Sequence, residues 1–148
     1  LEKTMRPDLR IAVVGLGAIG TRVVEALDRG IDGLVLTAVS VQNPEKHRSR
    51  LAGLTGPPAI LPIEALVDVA AGADIFLCEA SFVESGVNPP HLHLTGADAG
   101  DHATRAGVAR LLITHIPAWT DPSEVESDVK STWDGPYELV TAGSTYQL

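Results

Sequence analysis

"IAVVGLGAIGTRVVEALDRG", residues Ile11 to Gly30, decides how this chain is read. Ile11 to Val14 is a short apolar run rich in branched side chains, which fill the pleated surface of a buried strand. Gly15 breaks the run. Ile19, Val23, Val24 and Leu27 then recur at the spacing of one helix face until Gly30 stops the pattern. The stretch predicts strand, tight turn and helix.

The same alternation continues outward. "LVLTAVSV" (Leu34 to Val41) reads as a second strand, "NPEKHRSRL" as a polar helical turn or short helix, and "AIL" (Ala59 to Leu61) as a third strand. Pro62 suits the first turn of a further helix ending at Gly72, and "DIFLCEA" (Asp74 to Ala80) is a fourth, buried strand. After an irregular piece from Ser81 to Leu92, Thr95 caps a helix with Asp98 three residues on, Ala99, Ala103 and Ala106 mark a narrow face, and Gly107 ends it. "RLLITHI" (Arg110 to Ile116) is a fifth strand. Asp121, Pro122 and Glu124 start a last helix whose Val125, Val129 and Trp133 share one face, and "YELVTAGSTYQL" reads as one strand or a small hairpin about Ala142 and Gly143. Alternating strands and helices imply parallel pairing. The expected fold is an α/β three-layer sandwich with a Rossmann-like, doubly wound, mainly parallel sheet of about six strands.

Composition narrows the function. With 148 residues, one contiguous domain is expected, and 45% hydrophobic against 4% aromatic residues predicts an aliphatic core. A net charge of −8 opposes nucleic-acid backbones and anionic membranes. Cys78 is the only cysteine, so no internal disulfide and no cysteine-rich zinc ribbon can form, and a reducing cytoplasm fits. No apolar run approaches the ~20 residues of a membrane span. The chain begins at Leu1 with its only Met at position 5, which reads as a trimmed or engineered start.

The turn itself, Gly15-Leu16-Gly17-Ala18-Ile19-Gly20, is G-x-G-x-x-G between a strand and a helix, the context in which that pattern binds a dinucleotide. Gly15 suits a tight turn, Gly17 lets a pyrophosphate approach the backbone, and Gly20 allows close helix packing beside the helix N-terminus. A glycine-rich turn without a nucleotide remains the alternative. The acid that holds a ribose 2′-hydroxyl belongs about 20 residues on, yet Ser40, Val41, Gln42 and Asn43 stand there. Ser40, Gln42, Lys46, His47, Arg48 and Arg50 suit a 2′-phosphate, so NADP fits at least as well as NAD; the basic residues read equally as a solvated helix face.

From Arg10 to about Asp74 the chain resembles the cofactor domain of L-aspartate dehydrogenases and their homoserine-dehydrogenase-like relatives. That resemblance implies a Rossmann half that binds NAD(P). In those enzymes a catalytic domain with its own acid-base residues follows, and nothing after Ile75 looks like that continuation.

"HLHLTG" (His91 to Gly96) does not complete His-x-His-x-Asp-His, because Thr95 and Gly96 stand where the Asp and the last His belong. With its surroundings, from "IFLCEASF" through "PPHLHLTGADAG" to "RLLITHIPAWTDPSEV", the segment Ile75 to Leu148 resembles the C-terminal part of metallo-β-lactamase-fold hydrolases of the ribonuclease Z kind. The resemblance implies that Glu79 bridges metals, His93 assists the reaction centre and His115 is a metal ligand. Read without it, Glu79 is a strand-end carboxylate, and His93 and His115 are ordinary polar groups near a helix start and a strand end. His47, His91 and His102 read as surface residues.

The expectation is therefore a single hybrid domain, 1–148, joining a dehydrogenase-like Rossmann half (1–74) to a metallo-β-lactamase-like half (75–148), an engineered or recombinant chimera. Its expected behaviour is weak or vestigial NAD(P) binding with no assigned catalytic residue and no zinc. The alternatives are a zinc-binding hydrolase remnant or a fragment of an oxidoreductase. Helix faces that have lost their partners would leave exposed apolar surface and favour a homodimer.

Overall fold

The computed structural model describes residues 8–90 and 92–146. Its chain divides into two compact units, Leu1–Val69 and Ala70–Leu148. Six strands and the helices between them make an α/β protein with parallel sheets, three strands in each.

In the first unit, β1 (Leu9–Val14), α1 (Ala18–Asp28), β2 (Leu34–Val41), α2 (Pro44–Ala52) and β3 (Ala59–Pro62) follow as the sequence predicts. The strands pair in the order β1-β2-β3, all parallel. Val13, Val39 and Val41 of the sheet meet Val24 and Leu27 of α1 and Leu51 of α2 in one buried cluster, with Ile11, Leu34 and Leu36 packed against it. The pattern in β2 changes parity, from 34 and 36 to 39 and 41, and a break in register between Ile11 and Ala12 accounts for it: Ile11 faces Leu36, while Ala12 faces Ala38. Thr37 is the extra residue, and its hydroxyl donates to the Ile11 carbonyl at 3.2 Å. Such a bulge returns both halves of the strand to the same core face.

Pro62 differs from expectation. It closes β3 opposite Val41 rather than opening a long helix, and a 3₁₀ turn (Ile63–Ala65) followed by the short α3 (Leu66–Ala70) takes its place. Proline lacks the N–H that a parallel ladder needs further in, so a strand terminus tolerates it.

The second unit runs β4 (Phe76–Glu79), α4 (Gly96–Ala106), β5 (Leu111–Thr114), α5 (Pro122–Thr132) and β6 (Tyr137–Leu139), paired β4-β5-β6 in parallel. Leu111, Leu112 and Ile113 of the central strand are all buried, as expected of a strand covered on both faces. The predicted capping box forms: Thr95 accepts from the Asp98 N–H at 3.1 Å and donates its own N–H to Asp98 at 2.9 Å. Ala99, Ala103 and Ala106 are buried. On the side facing α5, Gly96 and Gly100 bring the helices so near that a Cβ at Gly96 would stand 2.7 Å from the Val125 carbonyl. The Thr132 hydroxyl ties the pair by donating to Ala97 at 2.8 Å. Trp133 lies past the end of α5 with extended backbone, so only Val125 and Val129 make the buried stripe. Among the described residues the C-terminal segment is one strand with a turn from Thr141 to Ser144 and no hairpin.

The six strands therefore form two sheets of three. Each unit holds its own trio of parallel strands, β1-β2-β3 in the first and β4-β5-β6 in the second. Helical crossovers link each pair within a trio, whereas the segment from β3 to β4 carries only the 3₁₀ turn and α3. Among the described residues, no helix is long and apolar enough to cross a membrane.

Candidate functional site

The glycine turn begins at Gly15, whose φ of +82° is open to glycine and strained for other residues. Its N–H donates to the Ser40 carbonyl at 2.8 Å, which fixes the turn beside the exit of β2. Gly17 is the N-cap of α1; no side chain caps this helix and no acid lies in its first turn. A Cβ at Gly17 would meet nothing within 4 Å, whereas a Cβ at Gly20 would overlap the Gly15 carbonyl oxygen. The three glycines thus hold three positions: a left-handed turn, an open approach to backbone N–H groups, and a close contact between helix and turn. Leu16 packs against the core cluster, and Ala18 and Ile19 are exposed.

At the exit of β2 the candidate residues separate. Ser40 is buried, and its hydroxyl donates to the Pro62 carbonyl at 2.8 Å, so it ties β2 to β3. Gln42 is exposed just beyond. Asn43 caps α2 by accepting from the Lys46 N–H at 3.2 Å. Arg48 forks onto Glu45, which is held below the usual carboxyl range by this hydrogen bond and charge, and Arg50 reaches Glu25 of α1 at 2.9 Å. His47 is half-buried. A cavity of about 160 Å³ lies between α1 and α2, lined by Leu16, Thr21, Val24, Leu51 and Leu54 with Glu25 and Arg50 among its walls. That is smaller than the ~300 Å³ or more usual for ligand pockets.

A second cluster stands at the carboxyl ends of β4 and β5, which pair Glu79 with Thr114. One oxygen of Glu79, Oε2, is 2.8 Å from His93 Nδ1, 3.0 Å from His115 Nδ1 and 3.0 Å from the Ser81 hydroxyl. A carboxylate only accepts, so both imidazoles donate from Nδ1 and each neutral ring keeps its lone pair on Nε2. Burial pushes the Glu79 carboxyl up, but hydrogen bonds from His93, His115 and Ser81 outweigh it and hold the group below its ordinary value. The two imidazoles meet edge to face at 5.2 Å, and Phe82 stands edge-on to His93 at 5.3 Å. His115 has φ +60°, the only left-handed residue other than glycine among those described. The Ser81 hydroxyl also lies 2.9 Å from the His115 carbonyl oxygen. Such strain costs about 1–3 kcal/mol and gathers at functional sites.

The structure thus joins Glu79, His93 and His115, which the sequence places 14 and 36 residues apart from Glu79. Ser81 and Phe82 went unread. No motif marks them; only their position just after Glu79 hinted at them. His102 is half-buried and donates Nδ1–H to the Asp98 carbonyl at 2.7 Å, and His91 lies outside the described residues. Cys78 is buried beside the cluster, its thiol pushed up to about 12 by burial and by the charges of Glu79 and Asp98. It is an inert packing group.

The donor set suits a metal ion. Two imidazoles and a carboxylate with one ligand atom of each within 4.8 Å of the others could hold an ion, and His₂Glu is a donor set that open zinc sites use.

Comparison with known proteins finds relatives of two kinds. The family model described as homoserine dehydrogenase, NAD binding domain, matches residues 15–83. An L-aspartate dehydrogenase of Bradyrhizobium diazoefficiens is 48% identical over 69 residues, 47% of this chain and 24% of that protein. A ribonuclease Z of Chlamydia trachomatis is 39% identical over 66 residues, 43% of this chain and 22% of its own length. An uncharacterized protein of Mycobacterium leprae is 48% identical over 85 residues, 57% of this chain and 30% of that protein. The chain thus spans less than a third of these relatives. In fold, it is similar to the metallo-β-lactamase fold protein YhfI of Bacillus subtilis, with a TM-score of 0.55 and 12% identity over 92% of this chain and 77% of that one. The N-terminal half is similar to the NAD-binding domain of aspartate and homoserine dehydrogenases, and the C-terminal half to ribonuclease Z.

Proposed function

We propose that the chain is a dinucleotide-binding module, built as an engineered or recombinant join of two families' halves and without turnover of its own. The observation that carries the reading is the division of work among Gly15, Gly17 and Gly20: one turns, one leaves the backbone open, and one lets α1 press on the turn. In the dehydrogenases that the first half resembles, acid-base residues come from a catalytic domain that follows, whereas here the following half resembles a hydrolase. Affinity without hydride transfer is the consequence.

A thermal unfolding series with NAD, NADP and no ligand tests this. A ligand that binds only the native state raises the midpoint by mass action, by ~2.7 kcal/mol of added stability at one hundred times its Kd. Absence of any shift at millimolar NAD and NADP on a cooperative transition would refute the reading.

One observation supports a second reading. The left-handed His115 and the convergence of Glu79, His93 and His115 on one point suit a metal-binding hydrolase remnant. Zinc bound there would polarise a water molecule or a substrate oxygen. Stoichiometric zinc uptake, lost in the Glu79→Ala, His115→Ala double variant, is its expected signature; metal analysis finding no zinc in protein loaded by dialysis would remove it.

A further inference from the structure

We infer that the cavity between α1 and α2 is a binding site for one neutral, ring-sized molecule that carries a hydroxyl, of which phenol is the simplest. It needs neither a dinucleotide nor a metal. Its apolar walls are Leu16 and Val24 on the side of the glycine turn and α1, and Leu51 and Leu54 on the side of α2. Val24 and Leu51 belong to the buried core cluster and Leu16 and Leu54 pack against it, so a ring seated there leaves water for an aliphatic surface continuous with the core. At about 160 Å³ the space is close to the ~150 Å³ of an apolar cavity that takes up benzene, and too small for a drug-sized ligand.

The rim sets the polar preference. Glu25 of α1 and Arg50 of α2 both line the cavity and are both half-exposed, so they stand at its mouth. Arg50 Nη2 donates to Glu25 Oε1 at 2.9 Å, which occupies one carboxylate oxygen and one nitrogen of the guanidinium. The other oxygen still accepts and the remaining N–H groups still donate. A hydroxyl answers both: it donates to the carboxylate, accepts from the guanidinium and leaves the ion pair whole. A ligand carboxylate would meet Glu25 and a ligand ammonium would meet Arg50, so a charged ring is attracted at one end and repelled at the other. The Thr21 hydroxyl is already given to the Leu16 carbonyl at 3.3 Å, which leaves the ion pair as the polar contact.

Amide chemical shifts of the full chain, followed by NMR during titration with phenol, benzene and benzoate, test the proposal. Phenol should give saturable shifts centred on Leu16, Thr21, Val24 and Leu51 with a Kd on the order of 1 mM, about threefold or more tighter than benzene or benzoate. Glu25→Gln should weaken phenol about threefold and bring benzoate closer to it, since the acceptor loses its charge and the repulsion goes with it. Val24 is 3% exposed, so the larger ring of Val24→Phe has only the cavity to enter, and phenol binding should be lost. Glu25→Gln changes a half-exposed pair and leaves the fold intact, so it carries the test even if Val24→Phe does not fold. No saturable shift by about 10 mM phenol, shifts scattered over the chain, or unchanged binding to folded Val24→Phe overturns the site. Benzene or benzoate binding as tightly as phenol overturns the role of the Glu25–Arg50 rim.

Discussion

Gly20 stands so close to Gly15 that a Cβ on the first would overlap the carbonyl oxygen of the second. Gly17, two residues past that carbonyl, has open space in front of it. The two glycines are therefore separable by mutation. Gly20→Ala should cost about 2 kcal/mol or more, since backbone must move to make room. Gly17→Ala should stay within about 1 kcal/mol of the parent and yet weaken dinucleotide binding. Urea unfolding with and without NADP reads both quantities, and equal losses of stability in the two variants would contradict this division of roles.

Glu79 should make the second unit sensitive to acid. Its carboxyl titrates lower in the folded chain than in the unfolded one, so its contribution is present above the ordinary carboxyl range and fades as pH falls through the depressed folded value. Glu79→Gln cannot titrate, and its stability should vary less with pH across that window than the parent's. Parallel stability-against-pH curves would show that Glu79 carries no such linkage.

His115 offers a comparison between two truncations. Both His115→Ala and His115→Gly lose the hydrogen bond to Glu79, but only glycine adopts φ +60° without a steric cost. The glycine variant should be more stable than the alanine variant by about 1 kcal/mol. Denaturant midpoints for the pair decide it, and a more stable alanine variant would mean that the left-handed backbone is not a source of strain.

Thr95→Ala should cost about 1 kcal/mol, because the Asp98 N–H loses its hydroxyl acceptor and the hydroxyl's own bond to the Asp98 carboxylate is lost, while the Thr95 N–H keeps its bond to Asp98. Asp98→Ala should remove the acceptor of the Thr95 N–H, and the double variant should cost less than the sum of the two because the 2.9 Å bond between the Thr95 hydroxyl and the Asp98 carboxylate is lost in either, a coupling that a double-mutant cycle measures directly. Simple additivity would show that the bond between hydroxyl and carboxylate contributes nothing.

The sequence by itself determined the elements and the glycine turn. Strand β2 begins and ends where its apolar run does, α4 starts at its threonine cap and ends at Gly107, and Gly15 takes the positive φ its place in the motif requires. These are local outcomes, governed by side-chain period, capping and backbone freedom within a few residues. Pro62 and Trp133 departed from expectation because a proline suits a strand end as well as a helix start, and a helix can stop one residue before its apolar pattern does.

Only the tertiary structure decided which strands pair, and it gave two parallel trios where the alternation of elements predicted one sheet. It also revealed that Thr37 is a bulge, that Ser40 belongs to Pro62, and that Arg48 and Arg50 are spent on Glu45 and Glu25. The family resemblance picked out Glu79, His93 and His115 as candidates; their meeting on one carboxylate oxygen comes from β4, β5 and the left-handed turn at His115. Pairing partners, register and convergent side chains depend on contacts between residues far apart in the chain, and no local pattern of charge or hydrophobicity encodes them.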